Sequence, residues 1–138
     1  MNSKKLVIGG ILGGVVIFFA GWLIYGILLM DYMAHHSRMS SGAFRSETEM
    51  VMWAMALGNL GFGFLLSFLL SKSNVNDLKG GLIYGALLGL FISFSMDMML
   101  YAQLNIWGKG AIVADVIGST IMFAIAGAVI GLVNGKLK

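Results

Sequence analysis

Four apolar stretches, each long enough to cross a bilayer as a helix, dominate the chain and leave little else for it to be. A helix needs about 20 residues to cross the hydrocarbon core, and the stretches fall at 7–30, 50–70, 80–104 and 111–133. What remains is short loops, so the expectation is an all-α, four-transmembrane-helix bundle forming one integral membrane domain over 1–138. Charge agrees with this. Only 11% of the residues are charged, against about 25% in a typical soluble domain, too few to coat a water-facing surface or to hold a nucleic acid. Helix is preferred to strand because no segment alternates in the manner of an outer-membrane barrel. Inside lipid a helix also closes its own backbone hydrogen bonds.

The chain supplies boundary signals. Ser46 with Glu49 spells a capping box ahead of the second span. Asn76 or Asp77 is placed to cap the third, and Gly135 to close the fourth. Lys4 and Lys5 before the first span imitate a secretory signal, but the apolar run exceeds the roughly 7–15 residues of a signal core. It reads as a retained anchor. Lys4, Lys5, Lys72, Lys79, Lys136 and Lys138 fall on one side of the membrane and Arg38, Arg45 and Lys109 on the other. The richer side is expected to be cytoplasmic, which places both termini inside.

A faint echo runs through the sequence. Met30-Asp31-Tyr32-Met33 resembles Met96-Asp97-Met98-Met99, and Gly58-Asn59 resembles Gly118-Ser119. Both pairs run in one direction, the pattern of a weak parallel two-plus-two duplication.

Glycine gathers on the expected cytoplasmic side: Gly9, Gly10, Gly13 and Gly14, then Gly81, Gly85 and Gly89, then Gly127, Gly131 and Gly135. Small residues at four-residue spacing let helix backbones approach closely in lipid. The last two ladders are therefore expected to pack as a tight seam, which leaves no room for a permanently open pore. The opposite half holds nine of the eleven methionines, together with Tyr25, Tyr32, Trp53, Tyr101 and Trp107. The aromatics suit an interfacial belt, and methionine suits irregular apolar space. Methionine is also a soft ligand for monovalent copper. With cysteine absent, the candidates for such a site are Met30, Met33, His35, His36 and Met39.

The acidic residues carry the sharper signal. Asp97 lies roughly 10 Å short of the outer end of its span, and Asp115 roughly 7 Å inside its own, at 1.5 Å per residue. Asn59 is deeper, and Asp31 ends the first span. All four helices are thus expected to aim a polar group into one outward-facing layer. Ser93, Asp97 and Tyr101 share one helical stripe, and Asp115 and Ser119 another. A charged aspartate at mid-membrane costs about 2.5–3.5 kcal/mol, so such groups normally face the bundle interior or water. Asp97 and Asp115 are candidates to share a proton or to bind a hard cation through oxygen. The plainer alternative has Asp115 capping its helix or meeting Lys109, and Asp97 bonding a backbone carbonyl.

Gly21, Trp22, Leu23, Ile24 and Tyr25, with Ala114-Asp115-Val116-Ile117-Gly118 and Ala126-Gly127-Ala128-Val129-Ile130-Gly131, resemble a family of small bacterial four-helix membrane proteins. The resemblance implies an integral bacterial membrane protein and adds weight to Asp115, and the expected location is the bacterial inner membrane. It carries no activity across.

No serine, histidine and acid arrangement suggests a nucleophile, and phosphate-binding loops, dinucleotide fingerprints and zinc motifs are absent, so neither an enzyme nor a cofactor is expected. Two functions remain in view. One is a small, homo-oligomeric protein that binds or transports a cation or proton. The other is a non-catalytic accessory subunit packed against a larger membrane complex. A lipid-modifying enzyme has only the polar layer in its favour.

Overall fold

The computed structural model describes residues 2–38, 42 and 44–137. Among these, five α-helices carry the fold: α1 (Ser3–Leu23), α2 (Met30–His36), α3 (Met52–Lys72), α4 (Leu78–Gln103) and α5 (Lys109–Lys136). A π-helical turn, Ile24–Leu28, links α1 to α2, and a 3-10 turn, Glu47–Glu49, precedes α3. The segments Ser3–Leu28, Met52–Lys72, Leu78–Gln103 and Lys109–Lys136 are long and apolar enough to cross a bilayer. The chain is a multi-pass helical membrane protein.

Local chemistry sets the helix starts. The Asn2 side chain accepts from the Lys4 amide at 3.0 Å, and Asp77 accepts from the Gly80 amide at 2.9 Å. Each satisfies one amide that a helix N-terminus leaves without a partner. Asn76, the other expected cap of α4, instead donates to the Asn74 carbonyl at 2.8 Å and accepts from Lys5 Nζ at 3.0 Å.

Two expectations at the boundaries need correction. The Ser46–Glu49 capping box forms, with Ser46 N donating to Glu49 Oε2 at 3.4 Å, but it caps the 3-10 turn rather than α3. Gly135 does not close α5, which runs on to Lys136. A Cβ there would run into the Asn76 carbonyl, so this glycine serves a close approach to the α3–α4 loop.

The first span departs furthest from a plain helix. Leu29 N bonds the Ile24 carbonyl at 2.7 Å, five residues back, and closes the π turn. Helical structure then resumes as α2, which the hydropathy pattern had merged into span and loop. A single extra residue in a helix shifts everything after it around the axis by about 100°. The residues of α2 therefore do not continue the face that α1 presents.

Neighbour order decides what can meet. The extensive contacts run α3 to α1, α1 to α5, and α5 to α4, with only small contacts from α3 to α5 and to α4. The apolar core consists of Ile17, Leu66, Leu70, Val75, Phe123, Ala126 and Ile130. It is closed by Phe62 edge-on to Phe123 at 5.4 Å. Most of it lies in the half of the molecule that carries the termini.

Glycine makes both major seams. In α1–α3, a Cβ on Gly63 would strike the Gly14 amide and the Gly10 carbonyl. In α4–α5, Cβ atoms on Gly81 and Gly127 would each land on the other's carbonyl, and one on Gly85 would land on that of Phe123. Such contacts leave no side chain able to move aside, so the glycines fix the distance and register of each pair. At the other end, α2 is tied to the start of α5. Arg38 N donates to the Ile106 carbonyl at 2.7 Å and Gly108 N to that of His36 at 2.8 Å.

Candidate functional site: a carboxyl pair above the glycine seam

The α4–α5 seam predicts its own upper end. Gly81 faces Gly127, Gly85 faces Phe123, and Gly89 faces Ser119. Every four residues gained along α4 are matched by four lost along α5. Continued by one and two steps, this register sets Ser93 against Asp115 and Asp97 against Ala111. Side chains on a helix lean toward its N-terminus, and the two helices are antiparallel, so Asp97 and Asp115 lean toward one another. Their carboxyl groups meet side chain to side chain.

Asp97 is 3% exposed, while Asp115 is half-buried. Asp97 Oδ2 has no hydrogen-bond partner among the described residues. A buried acceptor without a donor is costly. A proton, a water or a cation at this oxygen would satisfy it.

Two hydroxyls complete the cluster. The Tyr25 hydroxyl lies 3.1 Å from the Asp115 carbonyl oxygen, to which it donates, and 2.8 Å from Ser119 Oγ. Because a phenol has one proton to give, the serine then donates to the tyrosine oxygen. Tyr25 sits within the π turn, and Gly118 lets that turn approach α5: a Cβ at 118 would come 3.0 Å from Ile24 Cγ2 and 3.1 Å from the Tyr25 oxygen. π turns are frequent at functional sites because they re-aim one side chain without breaking the helix.

Of the sequence candidates, the fold gathers Asp97, Asp115 and Ser119. Ser93, one turn from Asp97, is buried and donates to the Gly89 carbonyl at 2.7 Å. The rest lie elsewhere. Asn59 donates to the Met55 carbonyl of its own helix at 2.8 Å, and its helix packs on α1, away from α4. Tyr101 is exposed, since positions eight apart on a helix drift by about 80° and carry it off the Ser93–Asp97 face. Asp31 is exposed in the first turn of α2, beyond the π turn. The expected four-helix layer is thus a three-segment site, made by α4, α5 and the π turn.

Lys109 lines a groove between α4 and α5. Of the copper candidates, Met30, Met33, His35 and His36 lie on α2, and Met39 lies outside the described residues. The His36 ring stacks on Tyr32 at 4.1 Å, and its Nδ1 lies 2.9 Å from the Tyr32 carbonyl oxygen. No group of three or more histidine, aspartate or glutamate side chains that could hold a metal occurs among the described residues.

Sequence reasoning assigned Tyr25 to the interfacial belt and passed over Asn134. Tyr25 carried a usable signal: it sits over a turn inside the apolar stretch, where a phenol must find a partner. Asn134 is 1% exposed and pins the α3–α4 loop by donating to the Val75 carbonyl at 3.2 Å. Compared with protein families, curated proteins and solved structures, the chain matches none.

Proposed function

We propose that this protein is a small, non-enzymatic, homo-oligomeric protein of the bacterial inner membrane that holds a proton or a hard cation at an outward-facing carboxyl pair. Both termini are cytoplasmic in this reading, following the lysine count. One observation carries it: Asp97, buried in the membrane-spanning part of α4, meets Asp115 of α5 and keeps one oxygen without a partner among the described residues. Two carboxylates cannot stay in contact while both are charged, so the pair holds a proton between them or a cation beside them. The Tyr25 and Ser119 hydroxyls, 2.8 Å apart, add oxygens to a set that contains no soft ligand, which suits a proton, sodium or calcium. The glycine seam closes the terminal half, so exchange takes place from the other end.

Infrared spectroscopy of the protein in liposomes tests this. A protonated-carboxyl band should be present, should shift on isotopic exchange, should respond to pH or to sodium and calcium, and should vanish in Asp97→Asn. A spectrum without that band, and without any response to either cation, would end the proposal.

The accessory-subunit reading draws on a different observation. The start of α3 exposes Met52, Trp53, Met55 and Leu57, and a Cβ on Gly58 or Gly61 would meet nothing within 4 Å. Extraction in a mild detergent separates the two readings. A stoichiometric larger partner favours the subunit, and a clean homo-oligomer favours the cation or proton site.

A further inference from the structure

A groove of about 410 Å³ runs between α4 and α5 on the surface at the end opposite the termini. Its lining is ordered by depth. Phe94 of α4 and Val116 and Ile117 of α5 form the deeper part, all apolar. Lys109, the first residue of α5, and Tyr101, in the last turn of α4, form the rim. From Lys109 to Ile117 the groove descends roughly 12 Å, at 1.5 Å per residue.

We propose that this groove binds one phospholipid, with an acyl chain along its apolar floor and the phosphate between Lys109 and Tyr101. Three features point to this occupant. The cation and the phenol lie where α4 and α5 end, at the depth of the headgroups, and the floor lies at the depth of the chains. The α5 N-terminus has no side-chain cap, and the partial positive charge of a helix start adds to that of Lys109 in favouring an anion. A second apolar helix in the groove would bury the lysine without a counter-charge, which membranes tolerate poorly, whereas a phosphate neutralises it. The proposal is independent of the carboxyl pair, because none of these residues belongs to it.

The test is native mass spectrometry of the full-length protein, purified in a maltoside detergent and supplied with phosphatidylglycerol, a diacylglycerol of the same chains, or inorganic phosphate. One phosphatidylglycerol should stay bound per chain, with diacylglycerol and phosphate retained far less. Lys109→Gln should weaken retention about fivefold, the effect of one lysine near a lipid surface. Val113→Trp projects an indole into the groove from an exposed position and should abolish retention. Ile125→Trp, exposed on α5 outside the groove, should leave retention unchanged and controls for folding. Equal retention of diacylglycerol, or no effect of Lys109→Gln, would overturn the phosphate contact. Retention that survives Val113→Trp, or a dimer that Val113→Trp dissociates while lipid has no effect, would overturn the site.

Discussion

In the α1–α3 pair, Gly10, Gly14 and Gly63 bring two backbones together, and above them Asn59 turns back to its own helix while the start of α3 stands exposed. In the α4–α5 pair, Gly81, Gly85 and Gly127 do the same, but above them lie Ser93, Asp97 and Asp115, with Tyr25 reaching in from the π turn. The seams are alike in construction. They differ in what sits one or two turns further on, and in whether a third segment closes over it. Close backbone packing sets a register, and the register acquires chemistry only where polar groups occur in phase with it. The faint sequence echo pairs Asp31 with Asp97 and Asn59 with Ser119, yet only the second member of each pair lies at the polar cluster.

The sharpest way to break this comparison is to spoil each seam in turn. Gly81→Leu should cost about 3 kcal/mol or more, because its Cβ meets backbone with nowhere to go, and should also abolish the carboxyl band. Gly63→Leu should cost as much in thermal stability measured in detergent yet leave that band in place. If both variants lose it equally, the two pairs are one cooperative unit and the contrast fails.

Next in size, Asp97→Asn keeps the shape of the side chain and removes the proton that the proposed carboxyl pair would share. Cation or proton binding, followed by calorimetry on liposome-embedded protein, should weaken at least about tenfold. Asn59→Leu should change neither binding nor stability beyond about 0.5 kcal/mol, and a larger loss of binding would restore Asn59 to the site. A smaller effect is expected from Tyr25→Phe, about 1 kcal/mol on the scale of interhelical hydrogen bonds in membranes. Combined with Ser119→Ala it should cost less than the sum of the two, since they share one bond. Smallest of all, Gly58→Ala should alter the melting temperature hardly at all, within about 0.5 kcal/mol, because nothing lies near its missing Cβ.

Much of this architecture is legible in the order of residues. Span positions follow from local hydropathy, and the seam glycines from a four-residue spacing that any helix turns into a stripe. The depths of Asp97 and Asp115 follow from counting residues. The π turn was hidden because Ile24–Leu28 is as apolar as the helix before it, and hydropathy does not distinguish a five-residue from a four-residue repeat. Helix α2 was hidden for the same reason, its start being continuous with the span.

By itself, then, the sequence determined that the chain enters lipid as four helices and that two carboxyls sit within the membrane at similar depths. Those are properties of each segment alone, dictated by the exclusion of unpaired backbone from hydrocarbon and by the fixed rise of a helix. The tertiary structure decided which helices are neighbours. Asn59, at a suitable depth, is excluded because α3 packs on α1, and Tyr25 is included because the π turn and Gly118 bring it against α5. Lateral order among apolar rods in a solvent as apolar as themselves is set by small differences in backbone fit, which no single segment carries.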